Sequence, residues 1–551
     1  MADVLTKIAS YGSSNGAEIA AFDPGSDRLF VVAGTVVEVL DLSNLPANPT
    51  KLADLALNTT GLPTGYELVP NSVTVGKAGT VSEGIVAVAL AVRDDLNNQE
   101  LGQVQFFNAA DGSYINTVTV GYLPDMVTFT PDGTQLLTAN EGEPNESYTE
   151  DPEGSVSIID ISGGVANATV TTLDFNAYDA QRATLQAQGV KLFGEIYDDN
   201  GAFFRNSTVS EDLEPEYVAI SPDGTKAYVT LQENNAVAVI DIASKTIDGI
   251  QPLGYKDYSI SGNGLDASDR DGGINITNQP VFGVYQPDSI AAYTVNGQTY
   301  YITANEGDAR NRPSDDDILA APFDGEGDIF SEEARIKDLT LDPTAFPNAA
   351  ALQADEVIGR LNVTTKLGDI DGDGDYDQLF AYGGRSFSIW DSNGNLVFDS
   401  GDQLEQITAT NYPDFFNASN SNNTFDNRSD DKGPEPEGVT VGKIGARTYA
   451  FIGLERVGGV MVYDVTVPTA PTFVQYLNDR DFTADPETTA TDSGPEGLLF
   501  IPAADSPNGE NLLVVSNEVS QTVSIMNFTP PPFTLELFHL ADQEPLNAGA
   551  G

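Results

Sequence analysis

With 551 residues the chain is long enough for several average domains or for one all-β repeat array. Its 25 Lys and Arg stand against 83 Asp and Glu, a formal charge of -58 that repels phosphate backbones and anionic headgroups, arguing against nucleic acid and charged membrane surfaces as partners while drawing divalent cations. The absence of cysteine excludes disulfides and thiolate metal sites, and the single histidine, His539, excludes a histidine-based triad or multi-histidine centre, so any acid-base chemistry falls to carboxylates.

In chain order, Met1-Ala2-Asp3-Val4 carries no basic or apolar leader, so export calls for a signal removed earlier or lying elsewhere. No apolar run reaches membrane-spanning length. Leu5 to Tyr11 reads as a strand without a sequence neighbour to pair with. A degenerate unit then recurs: Pro followed by an acid or amide, a short apolar strand, a turn, and further strands. The openers are Ala17-Glu18-Ile19, Pro70-Asn71-Ser72-Val73, Pro124-Asp125-Met126-Val127, Pro215-Glu216-Tyr217-Val218, Pro287-Asp288-Ser289-Ile290, Pro436-Glu437-Gly438-Val439 and Pro495-Glu496-Gly497-Leu498. They predict an all-β fold, a seven-bladed β-propeller over residues 1–528, with insertions at about 174–214, 253–286, 307–384 and 400–435.

Pro131-Asp132-Gly133 and Pro222-Asp223-Gly224 supply the hairpin turns, Pro presetting φ and Gly accepting its positive value. Second strands follow, five of them ending in glutamate: Leu136 to Glu141, Ala227 to Glu233, Tyr300 to Glu306, Tyr449 to Glu455 and Leu512 to Glu518. Third strands alternate with period two, as in Val36 to Asp41, Ser155 to Asp160, Ala236 to Asp241, Phe387 to Asp391 and Val460 to Asp464. One helix is predicted between the third and fourth blades, Ala177 to Gly189, closed by a C-cap glycine. The seventh unit runs into Pro530-Pro531-Pro532 before a fourth strand appears, and Leu5 to Tyr11 is expected to fill that place and close the ring.

In such a ring the short turns fall on one face and the long insertions on the other, which becomes the expected functional face. Glu18, Asp125, Glu216, Asp288, Glu437 and Glu496 open the inner strands on that face, and Glu141, Glu233, Glu306, Glu455 and Glu518 end the second strands there. Crowded carboxylates raise one another's pKa unless a metal, a cationic ligand or interleaved arginines intervene, the candidates being Arg310, Arg385, Arg428 and Arg456. The alternative is that these acids cap strand ends and pair between blades for packing alone.

The sharpest local motif is Asp369-Ile370-Asp371-Gly372-Asp373-Gly374-Asp375-Tyr376-Asp377. Alternate aspartates offer a hard cation several oxygens, so Ca2+ is the expected cofactor, with Gly374 permitting the turn. The twelfth position is Phe380 rather than Glu, and the strand-like Gln378 to Tyr382 follows, favouring a nine-residue β-type loop over an EF-hand. A solvated Asp-Gly turn without metal is the plain alternative.

Several strings resemble the choice-of-anchor I family of extracellular propeller proteins: Thr138-Ala139-Asn140-Glu141-Gly142-Glu143, Asp212 to Tyr217, Thr303 to Arg310, Gly384 to Asp391 and Asn427 to Gly438. The resemblance covers about residues 5 to 528 and implies an exported protein, at the cell surface or outside it, whose attachment varies. Beyond it, Phe533 to Glu544 resembles the opening strand of a 5'-nucleotidase-like metallophosphoesterase, with Asp542-Gln543-Glu544 where that family has Asp-x-His. Residues 529–551 are accordingly expected to be a linker and the start of such a segment. Two functions remain open: a calcium-stabilised binding or scaffold propeller that engages divalent cations, a glycan or a cell-surface protein, or a calcium-dependent hydrolase of phosphate esters in which Arg310, Arg385, Arg428 and Lys432 gather phosphate. A further alternative is that the chain is the non-catalytic N-terminal part of an extracellular alkaline phosphatase or 5'-nucleotidase.

Overall fold

β-Branched residues in period-two runs, cut by Pro-Asp-Gly and Asn-Gly turns, favour antiparallel hairpins, and hairpins account for most of the molecule. The computed structural model describes residues 4–145, 148–197, 202–312, 330–486 and 491–532. Among them, seven sheets have four antiparallel strands each. Their first strands are Ala20–Asp23, Glu67–Val75, Pro124–Phe129, Pro215–Ile220, Ile290–Val295, Pro436–Ile444 and Pro495–Ile501. The third sheet is typical, continuing through Gln135–Asn140, Ser155–Asp160 and Thr169–Asp174. Each first strand packs beside the first strands of the sheets before and after it, and Pro495–Ile501 returns to Ala20–Asp23.

The hydrophobic core is divided in the same cyclic way. Phe30 and Val88 share a buried cluster between the first and second sheets, Phe106 and Leu136 between the second and third, and Ile158 and Val229 between the third and fourth. Tyr228 and Tyr301, with ring centroids 4.8 Å apart, join the fourth and fifth. Phe387 and Ile452, Phe451 and Leu513, and finally Ile525 and Leu29 continue the series back to the first sheet. Each such side chain contributes about 1.5–3 kcal/mol of transfer free energy, so stability is spread evenly around the axis. The fold is all-β and of β-propeller type.

Ring closure follows the expectation for the N-terminal strand. Leu5–Gly12 pairs antiparallel with Thr522–Phe528, from Leu5 opposite Phe528 to Gly12 opposite Thr522, and so covers an edge that would otherwise present unpaired backbone groups. The predicted helix splits into a 3-10 segment, Asn176–Gln181, and an α-helix, Arg182–Gln188, ended by Gly189 at φ 100°.

Two expectations change. The second strands stop at Asn140, Leu231, Asn305, Leu454 and Asn517, one or two residues before the glutamates. The amides of Glu141, Glu455 and Glu518 leave the ladder and donate instead to the carbonyls of Leu123, Glu435 and Gly494, each of which directly precedes the proline opener of the same sheet. The insertions, read as loops, also build a five-stranded sheet of their own from Tyr255–Asp257, Phe282–Val284, Phe380–Tyr382, Asn362–Thr364 and Glu333–Arg335. It contains a parallel pair and buries Leu265, Ile336, Ile358 and Val363. Three-residue strands are too short to show alternation, which is why only Gln378 to Tyr382 was readable.

Candidate functional sites: the axial carboxylates and the aspartate loop

Proline cannot donate to a ladder, and its successor is where pairing slips. Register shifts fall between Pro70 and Ser72, Pro124 and Met126, Pro215 and Val218, Pro436 and Val439, and Pro495 and Leu498. Asn71, Asp125, Glu216, Glu437 and Glu496 therefore occupy β-bulges, a geometry that re-aims side chains. The inner strands approach closely enough that a Cβ on Gly438 or Gly497 would lie 2.1 Å from the Glu496 carbonyl oxygen or 2.2 Å from that of Glu18. Glycine at those positions is thus a packing requirement.

Of the bulged acids, Asp125 and Glu496 line one small axial cavity of about 50 Å³, together with Asn71, Tyr217 and Asp288 among others. Burial, first of all, pushes Asp125 and Glu18 up to about 7, Glu18 also feeling Glu518 and Asp125. Burial and then Glu233, Glu141, Asp288 and Asp125 hold Glu216 well above the carboxylate range. Asp288 is raised by burial and by Glu306, Asp125, Glu455 and Glu233. Glu437 and Glu496 are raised in the same way, Glu437 next by Glu455 and Glu496 next by Glu518. Oε2 of Glu216, Glu233, Glu437 and Glu496 is buried and has no hydrogen-bond partner among the described residues.

The cations on this side of the molecule are engaged further out. Lys432 donates to Glu306 Oε1 at 2.8 Å and to the Gly307 carbonyl, and lies 3.2 Å from Glu435. Arg456 bridges Glu435 at 2.8 Å and Glu455 at 3.1 Å, and Arg428 pairs with Glu435 and Asp431 at 2.7 Å. Burial alone would raise Glu435, but Arg428, Lys432 and Arg456 together hold it well below the usual range. Glu306, Glu435 and Glu455 place oxygens within 4.8 Å of one another, yet lysine and arginine already supply the compensating charge. Arg310 is committed to Asp212 and Glu214 at 2.5 Å. Arg385 pairs with Glu405 at 2.7 Å and donates to the carbonyls of Asp266, Ser429 and Asp431, tying insertions together.

In the aspartate loop, Asp369 accepts from the amides of Gly372, Asp373 and Gly374, and Asp377 from that of Ile370, so the backbone curls around the motif. Oxygens of Asp369, Asp371 and Asp377 lie within 4.8 Å of one another. Asp375 is drawn into another group with Asp377 and Asp342, a residue outside the motif, while Asp373 joins neither and accepts from the Asp375 amide at 3.2 Å. Asp371 is raised first by Asp373, and Asp375 by burial and then Asp373 and Asp342. The donor set is entirely carboxylate and is of the kind that could hold a hard cation, with Asp369, Asp371 and Asp377 as the residues that would supply oxygens.

Sequence reasoning passed over several groups. Asn140 and Asn305, each beside a highlighted glutamate, are fully buried pins: Asn140 donates to Ser155 and Ser157, Asn305 to Ser386 and Ser388, and each accepts from the Thr two residues before it. The recurring Thr-Ala-Asn string was the available signal. Lys191 and Glu332, paired at 2.7 Å and buried, and Lys256, bonded to the carbonyls of Gly384 and Gly401, gave no local signal. The phosphoesterase-like string Phe533 to Glu544 lies outside the described residues. No helix among the described residues is long and apolar enough to cross a membrane.

Fold and site together define a β-propeller-type domain with a carboxylate-lined axis. The chain belongs to the choice-of-anchor I family, matching the choice-of-anchor I domain over residues 18–468. Gigasin-3a of Magallana gigas is 33% identical over 190 residues, which are 32% of this chain and 66% of that protein. The mesenchyme-specific cell surface glycoprotein of Strongylocentrotus purpuratus is 30% identical over 288 residues, 47% of this chain and 35% of that one. The chain thus spans only part of the length of either relative. Among solved structures, hydrazine synthase of Kuenenia stuttgartiensis matches with a TM-score of 0.43 and 13% identity, covering 94% of this chain and 97% of that one. The Myceliophteria thermophila Cps50 (Swd1) β-propeller domain matches with a TM-score of 0.43 and 9% identity, covering 95% and 100%.

Proposed function

We propose that the chain is a seven-bladed propeller of a secreted or surface-displayed protein, and that it acts as a binding or scaffold domain whose acidic mouth takes a cation or a positively charged group of a partner. The observation that carries this reading is a contrast: one buried carboxylate oxygen each of Glu216, Glu437 and Glu496 has no hydrogen-bond partner among the described residues, while Lys432, Arg428 and Arg456 are paired with Glu306, Glu435, Asp431 and Glu455. Desolvated carboxylates without a counter-charge favour a cationic occupant. Calcium in the 369–377 loop would hold the surrounding insertion in place. Membership of the family and the name of the sea-urchin relative support a place at the cell surface.

The hydrolase alternative needs donors free to gather phosphate, and Arg310, Arg385, Arg428 and Lys432 are each paired with carboxylates. The test is calorimetric titration of calcium and of a polyamine into wild type and into a Glu216→Gln, Glu496→Gln variant, with phosphatase and phytase assays run in parallel. Binding of at least one titrant that the variant loses, without phosphate release, is expected. Equal binding by the variant, or calcium-dependent turnover of a phosphate ester, overturns the reading.

A further inference from the structure

We propose that the chain carries a second binding site, for a neutral saccharide, in a cleft between the fourth and fifth sheets on the side remote from the axial carboxylates. The cleft is about 750 Å³, within the range of roughly 300–1,000 Å³ typical of ligand sites. Its walls are the turn from Ser221 to Thr225 and the strand Thr246–Pro252 of the fourth sheet, with the turns at Gly297-Gln298 and Ser392-Asn393 of the fifth. The strands Pro215–Ile220 and Ile290–Val295 run from the axial acids Glu216 and Asp288 to two of these turns, so the cleft lies at their far ends. Gly394, at φ 79°, closes the last turn, and a Cβ there would lie 2.9 Å from Gln251 Cδ, so the two sheets meet at the edge of the cleft. Gln251 is held in place by the Tyr301 hydroxyl, which donates to its Oε1 at 3.1 Å.

The residue that calls for an occupant is Tyr228, on the strand Lys226–Leu231. It is 1% exposed and lines the cleft, yet its hydroxyl makes no hydrogen bond among the described residues. Burial raises its pKa first, and the charges it feels next are Asp223, Lys226 and Asp391, so the hydroxyl faces the turns that wall the cleft. Acceptors stand near it. Asp223 spends Oδ1 on the Ser221 hydroxyl and on the Thr225 amide and hydroxyl, and its Oδ2 accepts nothing among the described residues. Asp248 takes Lys226 on Oδ2 at 2.5 Å and keeps Oδ1 unused in the same sense. Lys226, the only cation lining the cleft among the described residues, is also 2.7 Å from Asp241, so an anionic ligand would meet a neutralised lysine and surplus carboxylate. Asp223 and Asp248 join no group of metal-ligating oxygens among the described residues. An apolar ligand would desolvate these polar groups without replacing their hydrogen bonds. Sugar hydroxyls both donate and accept, which suits a phenol, two carboxylates and the amides of Gln251 and Gln298 together.

The test titrates cellotetraose, laminaritetraose, mannotetraose and chitotetraose into the full chain by calorimetry in EGTA, so that bound calcium plays no part. At least one is expected to bind, and Tyr228→Phe, which removes a single hydroxyl and leaves the ring in place, to weaken that binding at least about fivefold. Asp248→Asn, at an exposed position, is expected to weaken it to a similar degree. In wild type the bound saccharide is expected to slow amide exchange in peptides covering residues 219–231 and 246–252, a measurement that does not depend on any variant folding. No binding by any of the four, unchanged affinity in both variants, protection confined to other peptides, or tighter binding of a heparin tetrasaccharide than of the neutral ones would each overturn the site.

Discussion

At the scale of single residues, the axial acids make the molecule's response to pH unusual for a protein so acidic. Glu18 and Asp125 are pushed to about 7 by burial, and Glu455 to about 8 by burial and then by Glu435 and Glu306 against the pull of Arg456. Folded values above the unfolded ones mean that the native state binds more protons, so this contribution is fully present below about pH 4 and is lost as pH rises through about 7 to 8. In EGTA the melting temperature is expected to fall by at least about 2 °C between about pH 5.5 and pH 8, and a cation bound at the mouth to flatten that slope. A melting temperature that rises over the same interval would contradict the assignment. Asn305→Ala probes another kind of buried group, for it removes the partner of Ser386, Ser388 and Thr303. A loss of about 2 kcal/mol in denaturant unfolding is expected.

At the scale of elements, legibility in the sequence tracked the range of the interaction involved. Hairpins were readable because Pro131-Asp132-Gly133 and the alternation of Ser155–Asp160 are local signals. The bulge that turns Glu216 toward the axis was foreshadowed by the proline before it. The partner of each arginine was not readable, since Arg310 and Glu214 are 96 residues apart and only packing brings them together. The same holds for Asp342, which joins Asp375 and Asp377 from outside the motif, and for the parallel pairing of Phe282–Val284 with Phe380–Tyr382. These non-local contacts predict that the insertions behave as a unit. Chelation, or Asp371→Asn with Asp377→Asn, is expected to speed proteolysis within residues 307–384 several-fold while the four-stranded sheets remain folded by circular dichroism. Equal cleavage with and without calcium would deny the loop its role.

At the scale of the whole molecule, stability depends on a cyclic order of sheets in which every interface has two neighbours. Removing residues 1–12 strips Leu5 and Ala9 from two separate apolar clusters and bares the edge of Thr522–Phe528. The shortened chain is expected to melt many degrees lower and to self-associate through that edge in analytical ultracentrifugation, whereas a monomer of unchanged melting temperature would show that closure is dispensable. The pairing of Leu5 with Phe528 has a further consequence for how the chain is born. The strand Leu5–Gly12 emerges long before its partner has been synthesised and must wait unmated while six sheets assemble, so the ring cannot be completed until residues 522–528 have left the ribosome. That interval, rather than the finished ring, is when this protein is most exposed to chaperones, to proteases and to sister chains offering the missing strand.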